Sequence, residues 1–209
     1  MLSISRTLLV SIFAGLAVAA ASAAAAKEFS FKDPKGVNSM SFVLDSELEP
    51  IMGLATGISG TVSFDPADAK KATGKIVVDA KSINCSNPAM TKVLHAEDWL
   101  NVEKHAEVTF TFKEVKEAKS SAAGEFEMTV VGDFACAGVT KELTIPVKAS
   151  YKKDGAGGRM KGAKGDLLIL RAAFTINRKD FKIKTEMGPE VVSDEIEIRA
   201  SIVGMSAEK

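Results

Sequence analysis

Hydrophobic and polar residues alternate along most of the chain after residue 26. Residues 108–112 place a valine and two phenylalanines on one face and two threonines on the other. Residues 195–202 give the clearest alternation in the sequence. A period of two with one polar face predicts half-buried antiparallel strands.

The alternating runs predict about eight strands, several of them separated by turn sequences rich in Asp, Pro and Gly. They lie near residues 37–44, 51–64, 73–83, 106–116, 124–137, 141–153, 160–178 and 194–203, with a short strand before them at 28–32. This number of long strands in one domain favours an all-β, closed antiparallel barrel and leaves a two-sheet sandwich as the alternative. Gly53, Gly57 and Gly60 favour the barrel, since glycine suits bulges and sharp bends.

One segment breaks the alternation. Its apolar residues fall at roughly helical spacing, at Met90, Val93, Leu94 and Leu100. Asn87 suits an N-cap and Pro88 the first helical position. The sequence therefore predicts one short helix near residues 88–100, inserted between two strands and placed to cover one end of the barrel.

Residues 1–26 have the order of a secretory signal peptide. Arg6 is their only charged residue, an apolar run follows it, and the segment then becomes small and Ala-rich. Cleavage is expected after Ala23 or Ala26. The apolar run is short for a membrane span of ~20 residues. Residues 27–209 are therefore predicted to form one β-barrel domain that is exported, periplasmic or secreted.

Composition and charge exclude several functional classes. The chain has 209 residues, 46% of them hydrophobic, with 27 Lys and Arg against 27 Asp and Glu. A nucleic-acid binder would need a basic excess. The outward positions of the alternating strands carry many charges, which an outer-membrane barrel would not tolerate on its lipid face. We therefore expect no nucleic-acid partner and no stable membrane insertion.

The residues for catalysis are few. The chain has only two histidines, His95 and His105, and His95 lies three residues before Asp98. No Gly-x-Ser-x-Gly elbow and no glycine-rich phosphate loop is present, and two histidines ten residues apart do not make a zinc site. The sequence therefore predicts a non-enzymatic protein without cofactor or metal.

Cys85 and Cys136 are the only cysteines. In an exported protein the sequence predicts a disulfide between them, which would stabilise by about 3–4 kcal/mol. The alternative is two separate buried thiols.

The predicted interior of the barrel is apolar and uncharged, and Gly60, Ala80 and Gly132 interrupt it. A barrel of eight strands can fill itself or hold one ligand. The small inward residues favour a ligand cavity over a packed core. Trp99, at the end of the predicted helix, is a further candidate for ligand contact. The predicted ligand-binding residues are Phe42, Leu54, Ile58, Phe64, Val78, Trp99, Phe110, Phe126, Met128, Phe134, Phe174 and Ile176.

Four motifs together resemble the YceI-like family of exported, lipocalin-like barrels. Residues 33–42 (DPKGVNSMSF) are similar to its Asp-Pro…His-Ser…Phe opening strand, and residues 132–141 (GDFACAGVTK) to its Gly-x-Leu-Thr-x-x-Gly-Val-Thr-Lys segment. Residues 177–181 and 192–196 resemble its Arg-x-Asp-Phe-Gly and Ser-Asp-Glu-Val ending. Residues 94–100 stand where the family has a Leu-x-x-x-Asp-Phe-Phe helix end. The resemblance runs from about Phe29 to Val203.

The resemblance implies a barrel that binds a long-chain isoprenoid or other amphiphilic lipid in its interior, in the bacterial periplasm, without known catalysis. The alternative interpretation of the residues is a ligand-free structural or stress-related barrel that is simply packed and acts through protein contacts, and a homodimer is left open. The chain departs from the family pattern at three positions, and its two cysteines are not general to the family. Asn38 replaces a His, Ala106 stands where a Pro is common, and Lys182 replaces the Gly after the Asp-Phe pair.

Overall fold

The structure, a computed structural model, describes residues 26–207, so the predicted signal peptide lies outside the described residues apart from Ala26. The strands are β1 (Lys27–Ser30), β2 (Ser39–Leu44), β3 (Ile51–Ala55), β4 (Ile58–Phe64), β5 (Thr73–Asp79), β6 (Ile83–Cys85), β7 (Glu107–Ala122), β8 (Glu125–Cys136), β9 (Val139–Lys152), β10 (Leu167–Asn177) and β11 (Glu195–Ser206). The α-helices are α1 (Pro88–Leu94) and α2 (Ala156–Arg159). Single 3-10 turns lie at Ala69–Lys71, Ala80–Ser82 and Arg178–Phe181. Within residues 26–207, no helix is long and apolar enough to cross a membrane.

Eight strands close into a ring in which every neighbouring pair is antiparallel. Their order is β1–β4–β5–β7–β8–β9–β10–β11, and β11 pairs with β1 to complete the circle. The strands β2, β3 and β6 extend one end of the ring, because β2 pairs with β11, β3 with β2 and β6 with β3. The prediction of a closed antiparallel barrel is therefore confirmed, and the sandwich alternative is wrong.

Three predicted strands are interrupted. The run predicted at 51–64 is the two strands β3 and β4, which separate at Thr56 and Gly57. The run predicted at 73–83 breaks at the turn Ala80–Ser82. The run predicted at 160–178 begins as a strand only at Leu167, since Gly162 and Gly165 adopt φ values of 83° and 111° that extended backbone does not have.

The helix α1 is shorter than predicted. Its start is as expected, since Pro88 is its first residue and the side chain of Asn87 accepts a hydrogen bond from the Ala89 N–H at 2.9 Å. It ends at Leu94 rather than at residue 100, because the chain then folds back and the Leu100 N–H donates to the carbonyl of Leu94. This return brings Trp99 and Leu100 to the barrel interior.

The helix α1 covers the edge of the short strand β6. The Thr91 hydroxyl accepts a hydrogen bond from the Cys85 N–H at 3.0 Å. His95 Nε2 lies 2.7 Å from the Ile83 carbonyl oxygen. These two side chains contact backbone groups of β6 that would otherwise be unpaired at the edge of the sheet.

Aromatic side chains fill the end of the barrel opposite α1. Phe64 lies edge-on to Phe126 at 5.3 Å between ring centroids, and Phe29 to Tyr151 at 6.3 Å. We call these four aromatic residues the floor. Beside them, the buried carboxylate of Asp166 accepts hydrogen bonds from Tyr151, Lys27 and the Asp154 N–H. The floor fills this half of the barrel.

Candidate functional site

A cavity of about 160 Å³ occupies the half of the barrel nearest α1. Side chains from β2, β3 and β5 to β11 line it, and Leu94 of α1 and the loop residues Trp99, Leu100 and Ile183 complete its wall. No charged residue lines it among the part of the chain that the structure describes. The interior is therefore an apolar space rather than a fully packed core.

Several inward-facing side chains remain only partly buried. Met40, Phe42, Phe174 and Ile198 belong to this set, although the side chains of a filled barrel would be shielded on all sides. The partial exposure agrees with an incompletely filled interior.

Seven of the twelve predicted ligand-binding residues line the cavity. They are Phe42, Val78, Trp99, Phe110, Phe134, Phe174 and Ile176. Alternation placed these residues correctly because each lies on a regular strand or, for Trp99, on the returning loop.

Four predicted residues are buried but do not line the cavity. Phe64 and Phe126 belong to the floor, and Ile58 and Met128 are packed in the core with exposures of 5% and 4%. The alternation gives the face of a residue correctly here but not its depth along the barrel axis. Depth depends on strand stagger, which only the closed barrel fixes.

Leu54 was predicted to face the interior, and this prediction is wrong. Its side chain is 52% exposed, whereas the next residue, Ala55, is buried and lines the cavity. The inward positions of β4 are even-numbered, at Ile58 and Val62, but those of β3 are odd-numbered. The interruption at Thr56 and Gly57 changes the phase, so extrapolation back from β4 puts Leu54 on the wrong face.

The predicted site omitted most of the wall that β10 and β11 provide. Ala172 on β10 lines the cavity, and four residues of β11 do so as well, namely Ile196, Ile198, Ala200 and Ile202. The signal was present in the sequence, since residues 195–202 show the clearest alternation. Assigning every second residue of β10 and β11 to the interior would have included these residues.

Gly132 does not create free space, contrary to the sequence argument. A Cβ atom built on Gly132 would lie 2.5 Å from Cζ of Phe110, and one built on Gly53 would lie 2.5 Å from Cζ of Phe42. Each aromatic ring lies over the bare backbone of its glycine. The inward glycines therefore accommodate aromatic rings of the wall.

Two segments cover the open end of the barrel, and we call them the α1 segment (residues 86–106) and the second segment (residues 178–194). The fully buried Arg178 organises the second segment by donating hydrogen bonds to backbone carbonyls. Its acceptors are Ile183, Lys184, Met187, Val192 and Ser193. Arg178 also lies 2.8 Å from the Asp194 carboxylate, an ion pair without hydrogen-bond alignment.

Lys184 joins the two covering segments. Its backbone N–H donates to the Asp98 carbonyl at 3.2 Å, and its ammonium group pairs with the Asp98 carboxylate. This hydrogen-bonded pair holds the pKa of Asp98 below its usual value. This ion pair thus joins the two covering segments, and apolar residues of both segments also belong to the hydrophobic cluster around Val192.

The possible catalytic pair of His95 and Asp98 makes other contacts. His95 contacts the Ile83 carbonyl, and Asp98 pairs with Lys184. Among the described residues, no group of three or more His, Cys, Asp or Glu side chains is arranged to hold a metal ion. At this end of the barrel an apolar cavity therefore lies beneath polar loops, and His95 and Asp98 serve as structural contacts of those loops.

The predicted disulfide is absent, and both cysteines are buried free thiols. Cys85 lies on β6, which pairs with β3, whereas Cys136 ends β8, which pairs with β7 and β9. The two residues pack in separate hydrophobic clusters. Cys136 lines the cavity, and burial raises the pKa of its thiol to about 12.

The closed antiparallel ring and its apolar cavity define a class of lipocalin-like barrels. The model of the YceI-like domain matches residues 32–204. A UPF0312 protein of Yersinia enterocolitica is 31% identical over 158 residues, which are 75% of this chain and 74% of that protein. The chain therefore belongs to the YceI-like family.

A further relative and two solved structures are also similar to this chain. Protein YceI of Escherichia coli O157:H7 is 28% identical over 156 residues, 74% of each chain. BcnA of Burkholderia cenocepacia has a TM-score of 0.63 at 19% identity, covering 79% of this chain and 95% of its own. A polyisoprenoid-binding domain from Saccharophagus degradans, implicated in plant cell wall breakdown, has a TM-score of 0.61 at 9% identity, covering 87% and 99%. These structures share the fold.

Proposed function

We propose that this protein binds a long-chain isoprenoid or similar amphiphilic lipid in its barrel, and that it carries or stores this lipid in the bacterial periplasm without catalysing a reaction. The observation that carries the proposal is the uncharged, apolar cavity beneath two loop segments. The family and the fold shared with a polyisoprenoid-binding domain support it. Periplasmic location rests on the signal-peptide pattern of residues 1–26.

The energetics of an apolar chain suit such a site. Burial of each CH₂ group contributes about 0.8 kcal/mol, so ten groups contribute about 8 kcal/mol before association costs. Without those costs this corresponds to about micromolar affinity, and longer chains bind more tightly. Shape and apolar area suffice, so few polar contacts are needed.

The cavity volume defines what binding requires. At about 160 Å³, the cavity lies below the ~300–1,000 Å³ of ordinary ligand pockets. A long chain therefore enters by displacing wall side chains, among them the partly buried Phe42, Phe112 and Phe174. Lipid uptake is thus expected to order these aromatic rings.

The direct test is native mass spectrometry, with solvent extraction, of the full chain purified from its expressing cells and then exposed to farnesol or longer isoprenoids. We expect bound amphiphile in the purified protein or uptake of the added isoprenoid. A protein that is empty on purification and takes up no isoprenoid or fatty amphiphile would favour the ligand-free structural barrel.

Two neighbouring alanines of β10 supply a matched pair of variants. Ala172 lines the cavity and pairs with Ala200 and Val147, whereas Ala173 is exposed. Ala172→Phe should fill the cavity and reduce isoprenoid uptake by at least about tenfold, because it removes the apolar volume that the chain would occupy. Ala173→Phe, with the same added side chain on the outer face, should bind as the wild type does.

A further inference from the structure

Positive charge is concentrated in two loops near the floor of the barrel. Residues 31–38 join β1 to β2, and residues 152–165 lead from the end of β9 to β10 and contain α2. The chain as a whole has equal numbers of basic and acidic residues, but these two segments hold seven Lys and Arg against two Asp. We call them the basic loops. Their charge is a local feature that the net charge of the chain conceals.

Contacts between the basic loops make them one surface. The Arg159 guanidinium pairs with the Asp33 carboxylate at 2.7 Å, and the Lys35 ammonium group donates to the Arg159 carbonyl at 3.1 Å. Asp33 also accepts hydrogen bonds from the N–H groups of Val37 and Asn38 in its own loop. Its side chain is buried, so one of the two acidic residues lies inside the contact between the loops. The exposed charge of this surface is therefore mostly positive.

Several cations of the basic loops are open to an anionic partner. Lys32, Lys153 and Lys161 are exposed, and none of them forms an ion pair within residues 26–207. Lys152 differs from them, because it pairs with Glu125 at 2.7 Å. The surface thus presents three ammonium groups that the anions of a partner can reach.

Two exposed apolar side chains accompany these cations. Val37 is 58% exposed and Met160 is 36% exposed. Val37 lies two residues after Lys35, and Met160 follows Arg159, so both lie beside the hydrogen bond that joins the loops. Exposed apolar residues among lysines are typical of segments that lie on a membrane surface, where the apolar side chains enter the headgroup region and the cations meet lipid phosphates.

The covered end of the barrel carries the opposite charge. Residues 45–49 contain three acidic residues and no basic one, and the Leu48 N–H donates to the Glu190 carbonyl of the second segment. Together with the α1 segment and the second segment, they hold ten Asp and Glu against six Lys and Arg. An anionic surface therefore attracts the basic loops and repels the covered end, which orients the barrel.

We propose that the basic loops dock the protein on the surface of an anionic phospholipid bilayer. The contact is peripheral: the ammonium groups meet lipid phosphates, Val37 and Met160 enter the headgroup region, and the barrel stays outside the bilayer. The covered end of the cavity then faces away from the membrane. This docking goes beyond lipid binding in the cavity, and each of the two functions can hold without the other.

The test measures co-sedimentation of the full chain with vesicles of phosphatidylcholine alone and with vesicles that contain equal parts of phosphatidylglycerol. We expect binding only to the anionic vesicles, and weaker binding as NaCl rises from about 0.1 M to about 1 M, because the Debye length shortens from about 10 Å to about 3 Å. Lys153→Gln combined with Lys161→Gln should weaken binding at least about tenfold, since each cation near an anionic surface contributes about fivefold. Lys92→Gln combined with Lys104→Gln removes the same charge from exposed positions of the α1 segment and should leave binding unchanged.

A fluorescent label reports which end of the barrel touches the membrane. Met160→Cys and Val93→Cys each place an environment-sensitive NBD group at an exposed apolar position, one in the basic loops and one on α1. The native cysteines are buried, so labelling of the folded protein is directed to the new thiol. On anionic vesicles, NBD emission should rise at least about twofold at position 160 and stay constant at position 93.

Four results would overturn the docking proposal. They are the absence of vesicle binding, equal binding to both kinds of vesicle, equal losses in the two double variants, and equal NBD responses at the two positions. Isoprenoid uptake by the same protein samples, measured by native mass spectrometry, keeps the two functions apart. A chain that takes up isoprenoid but binds no vesicle would refute docking and leave the proposed function intact.

Discussion

The carboxamide of Asn38 exchanges two hydrogen bonds with the backbone of Val203 on β11. Asn38 Nδ2 donates to the Val203 carbonyl at 3.0 Å, and the Val203 N–H donates to Asn38 Oδ1 at 2.9 Å. Strand β11 pairs with β2 before this point and with β1 after it, while residues 31–38 leave the sheet. The Asn38 side chain thus forms the two hydrogen bonds that a neighbouring strand would otherwise make with Val203. It closes the barrel at the seam between β1 and β2.

Asn38→Ala should lower the free energy of unfolding by about 2–4 kcal/mol, because it leaves several buried backbone groups of Val203 and Phe31 unpaired. Denaturant unfolding monitored by circular dichroism measures this change. Asn84→Ala, at an exposed position of β6, is the matched control and should change stability by less than about 1 kcal/mol. Equal effects of the two substitutions would contradict a role of Asn38 in closing the ladder.

The buried carboxylate of Asp166 should make the barrel sensitive to acid. Burial raises its pKa, but hydrogen bonds from Lys27, the Asp154 N–H and Tyr151 together hold it below its usual value. Because the folded-state pKa is the lower one, the stabilisation is complete above the unfolded value of about 3.9 and is lost as pH falls through the folded value.

Asp166→Asn should therefore lower stability by about 1–3 kcal/mol at neutral pH, and the difference from the wild type should shrink below about pH 4. Unfolding free energies measured across this pH range test the expectation. Asp45→Asn, at an exposed loop position, serves as control. A difference between wild type and Asp166→Asn that stays constant with pH would show that the charge is not what stabilises this end.

The hydroxyl of Tyr151, the only tyrosine of the chain, should lose its proton at a higher pH than an ordinary tyrosine. Burial and the adjacent Asp166 carboxylate raise the pKa of its hydroxyl to about 12. An alkaline absorbance titration of the folded protein should give a midpoint near this value, compared with about 10 for an unfolded chain. In Asp166→Asn the midpoint should fall, since the negative neighbour is gone. A midpoint near 10 in the folded wild type would contradict the arrangement of the floor.

The two cysteines should behave as protected free thiols. Burial raises the pKa of Cys85, and that of Cys136 to about 12, so little thiolate is present at neutral pH. Alkylation with iodoacetamide should be slow in the folded protein and give two modified cysteines after unfolding without reductant. Bound isoprenoid should slow the reaction of Cys136 further, because this residue lines the cavity. Unmodified cysteines after unreduced unfolding would instead indicate a disulfide.

The pair between Asp98 and Lys184 should control how fast a lipid leaves. Asp98→Asn weakens the contact between the α1 segment and the second segment without changing the cavity wall, since Asp98 does not line it. We expect release of a bound fluorescent lipid to become about two- to fivefold faster, as one hydrogen-bonded pair is lost. Stopped-flow displacement measures this rate. Glu97→Gln, at the neighbouring exposed position, should leave the rate unchanged; an equal acceleration by both variants would point to a nonspecific charge effect.

The sequence alone determined the antiparallel strand pattern and the inward face of the regular strands, and it favoured a barrel over a sandwich. Phe110 and Phe134 were placed correctly because a pleated strand turns alternate side chains to opposite faces. The start of α1 was equally readable, since Asn87 and Pro88 act through bonds within a few residues. These features depend on local geometry, which a short run of residues carries by itself.

Only the tertiary structure decided how deep each inward side chain lies in the barrel, which face of β3 points inward, and which distant residues are in contact. Phe126 belongs to the floor and Phe110 to the cavity wall, although both face inward, because strand stagger in the closed ring sets their height. Leu54 faces outward because a break two residues later changes the phase of its strand. The unpaired state of Trp99 Nε1, the ladder contact of Asn38 and the separation of the two cysteines each depend on residues distant in sequence. Such contacts form only when the barrel closes, so no local pattern records them.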